Sequence, residues 1–139
     1  MIGAVLRGTG HTLAAMPFLV IPVALYILAG QFGSHEALLY GGQLPSGAYV
    51  GLTAGASLIM FGIACLLLEA LKATHTGTRG LFDQTLSVFL LGGMLVAFLL
   101  LPAFGTITFA LLTLLQLTDV LMGAIISVKV ARRDFGLNA

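Results

Sequence analysis

Tryptophan is absent, cysteine occurs once, and only 8% of the residues carry charge. The shortage of charge excludes most. A soluble domain carries roughly 25% charged residues, and six cations and five anions cannot build a water-facing surface for 139 residues. With a mean hydropathy of +1.11, the chain is expected to be an integral membrane protein. It forms one domain over residues 1–139, with almost nothing outside the bilayer. The single Cys65 excludes an intrachain disulfide. Lying in an apolar run with no neighbouring charge, it is expected to be a buried, inert thiol. Without tryptophan, an interfacial aromatic belt falls to Tyr26, Tyr40, Tyr49 and the phenylalanines.

Absent motifs narrow the function. There is no phosphate-binding loop, no nucleophile beside a base and no basic surface for nucleic acid. The loops are too small for a soluble catalytic domain. A non-enzymatic protein is therefore expected, with no nucleic-acid partner. His11, His35 and His75 match no zinc spacing and give no haem ligand at depth, so no cofactor or metal is expected.

What is present is apolar length. Four spans are expected, over residues 12–31, 47–71, 84–101 and 106–130, forming an all-α membrane four-helix bundle with short loops. The N-terminal apolar run is read as a retained helix, kinked where Pro22 frees the carbonyl of Phe18. Residues 32–46 form the longest loop, with EALLY as a short interfacial helix, and residues 72–83 form a polar connector. Glu69 and Lys72, three apart, can pair there on one helix face. From Gln84 to Thr118 there are 35 residues without charge, too many for one span of about 20. The sequence Pro102-Ala-Phe-Gly105 divides them. This division puts Arg7, Lys72, Arg79, Lys129, Arg132 and Arg133 all on one side, which makes both termini cytoplasmic.

The last span carries the one intramembrane acid. Asp119 lies about ten residues, or roughly 15 Å, from Lys129. An aspartate at that depth costs at least about 2.5–3.5 kcal/mol when it faces lipid alone, so it is expected to face protein. Gln116, Asp119, Gly123 and Ser127 share a face at helical spacing, and Gln116, Asp119 and Ser127 form the candidate intramembrane polar site. Counting inward from the cytoplasmic ends places Asp119 level with Pro22, Gly62, Gly92 and Gly93. Gly47, Gly51 and Gly55 recur every four residues as a small-residue stripe. With Gly62, Gly92, Gly93 and Gly123 they are expected to serve close helix packing. Lys129, Arg132 and Arg133 are placed at lipid headgroups or a partner.

The stretch Leu44–Gly51, LPSGAYVG, is similar over about eight residues to the glycine-rich loop of the B subunit of multisubunit cation/proton antiporters. The resemblance implies membership of a larger energy-coupled complex and assigns no site residues. The leading expectation is a small accessory or assembly subunit of a larger membrane complex, energy-transducing or transport-related. Its partners are the lipid bilayer and other membrane subunits or further copies of itself, and its home a bacterial inner membrane. The alternative is a small homo-oligomeric transporter or channel coupled to protons or cations through Asp119.

Overall fold

The computed structural model describes residues 16–73 and 78–136. They are mostly helical: α1 (Val20–Phe32), a hairpin of β1 (Leu38–Gln43) and β2 (Tyr49–Thr53), then α2 (Ala54–Ala73), α3 (Thr78–Leu100), a 3-10 turn (Pro102–Phe104) and α4 (Ile107–Gly136). Three stretches are long and apolar enough to cross a membrane: Ala54–Ala73, Phe82–Leu100 and Ile107–Lys129. The helix α1 is apolar but has 13 residues, about 20 Å against a hydrocarbon core of about 30 Å.

The first helix begins later than its apolar run suggests. Pro22 is its third residue, in the turn where no backbone donor is needed, so it starts a helix and does not kink one. The carbonyl of Phe18 is not free either, because Ile21 N donates to it at 3.0 Å. The early part of the first span, together with Arg7, His11 and His75, lies outside the described residues.

The largest departure from the expected all-helical chain is the hairpin. EALLY forms no interfacial helix, since Leu38–Tyr40 lie in β1, and the second helix starts at Ala54, not near Gly47. A turn closes from Gly47 N to Leu44 O at 2.8 Å, with Pro45 at its second position and Gly47 at φ 83°. Proline presets the turn and glycine accepts the left-handed backbone. That chemistry accounts for LPSGAYVG locally. Gly41 and Gly51 are Cα partners across the hairpin. Tyr49 lies over Gly41, and a Cβ on Gly51 would meet Leu38 Cδ1 at 2.9 Å. Gly47 and Gly51 therefore serve the hairpin, and only Gly55 of the expected stripe is helical.

Threonines start two helices. Ala56 N donates to Thr53 Oγ1 and Phe109 N to Thr106 Oγ1, both at 3.1 Å, satisfying donors that a helix N-terminus leaves open. The polar connector is mostly helix: α2 ends at Ala73 and α3 starts at Thr78, so Arg79 and Asp83 belong to α3. Likewise α4 continues to Gly136, so Lys129, Arg132 and Arg133 lie within it.

The core is formed by Val23, Tyr26, Met94, Phe109 and Leu112, joining α1, α3 and α4, with Leu58 and Ile59 of α2 packed against it. Between α2 and α4 the approach depends on two glycines. A Cβ on Gly62 would come within 2.9 Å of Leu115 Cδ1 and 3.3 Å of Leu112 Cδ2, and Gly55 faces Thr108. The two helices run parallel, and α3 runs antiparallel between Ser87–Gln116 and Met94–Phe109. Gly92 and Gly93, expected to pack, have nothing within 4 Å of a Cβ among the described residues.

Two substitutions separate these glycines. Gly62→Val is expected to lower stability by about 1–3 kcal/mol through overpacking. Gly93→Ala gains helix propensity and is expected to raise stability by up to about 1 kcal/mol. Thermal unfolding of the detergent-purified protein measures both, and shifts of the same sign would contradict the packing described.

Candidate functional site

Polar side chains inside the molecule gather at two levels near the end that carries Lys72. The outer one is an ion-pair cluster. Glu69, 4% exposed, accepts a hydrogen bond from Phe18 N at 2.8 Å through Oε2. That amide is free because α1 starts just beyond it, and Leu19, the residue preceding the helix, offers no side-chain cap. A carboxylate from α2 thus anchors the residue that leads into α1, and its charge suits the positive end of the helix dipole. Lys72 Nζ stands 2.7 Å from Glu69 Oε1 and 2.9 Å from Asp83 Oδ2. It also donates to Asp83 Oδ1 at 2.9 Å and to Met16 O at 3.1 Å, and lies 4.7 Å from the centre of the Phe18 ring. The spacing of Glu69 and Lys72 had shown one pair; Asp83 and the start of α1 complete it.

One turn further inside lies a second level between α3 and α4. Gln116 is fully buried, and Ser87, Asp119 and Thr113 are nearly so. Gln116 Nε2 donates to Ser87 O at 3.2 Å and to Asp119 Oδ2 at 3.3 Å. Its Oε1 has no hydrogen-bond partner among the described residues. Thr113 donates to Phe109 O at 2.8 Å. Gln84 reaches from α3 to Val120 O at 2.9 Å, and its amide occupies the space that a side chain on Gly123 would need. Two glutamine side chains therefore bind each helix to the backbone of the other.

Asp119 and Gln116 meet as the sequence led us to expect, but Ser127 does not join them. It is exposed, and its hydroxyl donates to Gly123 O of its own helix at 2.8 Å. The expected depth also shifts. Gly62 faces Leu112 and Leu115 and is near Pro22, so Asp119 lies about one turn nearer the Lys72 end than Gly62 and Pro22. Gly92 and Gly93 do not face it. Ser87, Thr113 and Gln84 were missed because their partners lie on other helices or on backbone. Lys129 and Arg132 are exposed. Cys65 is a free, buried thiol on α2.

The hairpin end holds a separate cluster. His35 stacks on Tyr26 with ring centres 3.9 Å apart, and Tyr26 shares a 2.7 Å hydrogen bond with Thr106 Oγ1. The backbone of His35 fastens the hairpin by accepting from Gly55 N at 2.7 Å. Between this cluster and the Gln116 level, Met94, Phe109 and Leu112 are buried in one apolar cluster with Val23 and Tyr26. A groove of about 470 Å³ opens between α1 and α2, lined by Leu25, Leu28, Phe32, Leu39, Leu58 and Phe61 among others. The hydroxyl of Ser57, which also borders it, is bound to Thr53 O, so the lining offers hydrocarbon contact.

The ion-pair cluster predicts its own energetics. Lys72→Met leaves Glu69 and Asp83 facing each other without a cation. The expected loss is about 3 kcal/mol, the low end for breaking a buried pair, because 24% of the lysine side chain is exposed. Adding Glu69→Gln is expected to cost less than the sum of the single changes, with a coupling of about 1 kcal/mol or more. Denaturant titration of the four proteins in mixed micelles measures this. A loss below about 0.5 kcal/mol for Lys72→Met would show a solvated, unimportant pair.

Comparison with known protein families, with curated proteins and with solved structures finds no match for this chain.

Proposed function

We propose that this protein is a four-span membrane protein of the bacterial inner membrane. In this reading its Lys72 end is cytoplasmic, and it serves as a non-enzymatic subunit of a larger membrane assembly. The orientation follows from charge: Lys72, Arg79, Lys129, Arg132 and Arg133 belong to the end of α2, the start of α3 and the end of α4, and among the described residues the hairpin end has no lysine or arginine. Although α1 is short, the segment from Phe18 to His35 runs alongside the Gly55–Glu69 stretch of α2. Phe18 meets Glu69 at one end and His35 meets Gly55 at the other, roughly 21 Å apart along α2. These polar anchors at its two ends support reading the short helix as the fourth crossing.

One observation carries the subunit role. Only 11% of the crossing stretch of α3 is buried, against 28% for α4. Its outer face presents Phe82, Phe89, Val96 and Leu99, all more than half exposed, around the open backbone at Gly92 and Gly93. Glycine in a helix interior costs about 0.5–1 kcal/mol relative to alanine. Among the described residues nothing uses the space these two provide, whereas a helix of another subunit would. The buried apolar cluster of Met94, Phe109 and Leu112 among the described residues favours this role over a single-chain channel.

Gly93→Leu tests the assembly. It is expected to leave the isolated chain's melting temperature within about 2 °C of the parent, because the added side chain meets open space. The same change is expected to shift the native complex from gently solubilised membranes to lower mass on blue-native gels. A complex unchanged in migration would overturn the role of α3. For orientation, a cysteine at Ser34 is expected to react with an impermeant maleimide in intact cells, and one at Thr78 only after permeabilisation. The reverse pattern would overturn the topology.

A further inference from the structure

The fully buried Gln116 has an oxygen left over. Both hydrogens of its amide nitrogen are committed, to Ser87 O and Asp119 Oδ2, which fixes which end of the amide points where. Its Oε1 then lacks any donor, and a buried acceptor without a partner costs about 1–3 kcal/mol. Its surroundings offer more oxygen. The Asp119 carboxylate lies 3.3 Å from the nitrogen of the same amide, and the Ser87 hydroxyl hydrogen-bonds to that carboxylate. The Thr113 hydroxyl donates its hydrogen to Phe109 O and keeps its lone pairs. An all-oxygen donor set without nitrogen or sulfur suits a hard cation. A single carboxylate matches one positive charge, whereas calcium sites gather several carboxylates.

The charge inventory points the same way independently. Among the described side chains at this end of the interior, Glu69, Asp83 and Asp119 are three carboxylates accompanied by one ammonium, Lys72. Lys72 is already held by Glu69 and Asp83, which leaves Asp119 without a contacting cation. In a low-dielectric interior an unmatched carboxylate draws positive charge strongly.

We propose that Asp119, Gln116 and Ser87, with Thr113 beside them, form a binding site for one small monovalent cation of the sodium kind, held between α3 and α4. Asp119 supplies the charge, and the Gln116 carbonyl and the Ser87 hydroxyl supply neutral oxygens. Met94, Phe109 and Leu112 close the site toward the hairpin, so the ion enters and leaves toward Lys72. The site is independent of the subunit role: the assembly can form without the ion, and the isolated chain can bind it.

The test uses the full chain purified in detergent, with sodium, lithium or choline chloride at equal ionic strength. Sodium or lithium is expected to raise the melting temperature by about 5 °C over choline, since an ion well above its Kd stabilises the folded state by a few kcal/mol. Asp119→Asn and Gln116→Leu are expected to abolish the difference. Ser87→Ala removes one ligand and leaves the backbone carbonyl, so it is expected to weaken radioactive-sodium binding in equilibrium dialysis about tenfold. One bound sodium per chain, lost in Asp119→Asn, supports the site. No sodium bound to the parent protein overturns it, as does an undiminished shift in folded Asp119→Asn or Gln116→Leu. If neither of those variants folds, the milder Ser87→Ala decides, and unchanged sodium affinity there overturns the site.

Discussion

The ammonium of Lys72 is the constraint on which the Lys72 end of the molecule depends. Its position between Glu69 and Asp83 is fixed at 2.7 and 2.9 Å, and Glu69 uses its other oxygen to hold the amide of Phe18, just ahead of α1. Three helices are thereby tied at one end through a single side chain. In an apolar medium this matters more than in water. Helix association there has no hydrophobic drive, so register comes from close packing and polar contacts. Gly62 and Gly55 set how near α2 and α4 approach; Lys72 sets where α1 and α3 stop along them.

The second polar level complements the first. Gln84 and Gln116 each donate to a carbonyl of the facing helix at about the distance of an ordinary hydrogen bond, and Gly123 supplies the space that Gln84 needs. Those contacts fix α3 against α4 without a charge pair. The fixing is local: beyond Ser87 the outer face of α3 is uncovered, and only Met94 is deeply buried in that half of the helix. A helix held by one narrow row and exposed elsewhere is suited to being shared between chains.

Most of the helical architecture was legible, because composition and charge-free length are long-range signals. The division at Pro102 became the turn Pro102–Phe104, and Asp119 with Gln116 was visible at helical spacing. The hairpin was not. LLYGGQ has two glycines and no alternation of polar and apolar residues, and YVGLT runs into the apolar helix without a polar break. Its Gly47 and Gly51 matched a four-residue helical period by coincidence, although Pro45 and the positive φ of Gly47 mark a turn. Side-chain-to-backbone contacts leave still less trace. Nothing in the spacing of Gln84 announces Val120, and Asp83 reaches Lys72 only because α3 runs antiparallel to α2 and starts beside its end.

Depth brings these features into one picture. With Gly62 facing Leu112 and Leu115, the parallel run of α2 and α4 puts Glu69 level with about Met122, and Asp119 roughly 5 Å deeper. The interior is thus graded along its axis: ion pairs, then neutral amides and hydroxyls around one carboxylate, then Met94, Phe109 and Leu112 with no polar side chain. Such a gradient has a physical reason. Each step inward lowers the surrounding dielectric, so a charge there needs more ligands and fewer competitors. Asp119 occupies the last level where such ligands exist. One residue group further in, the carboxylate would face only hydrocarbon, and one level out it would compete with Glu69 and Asp83 for Lys72.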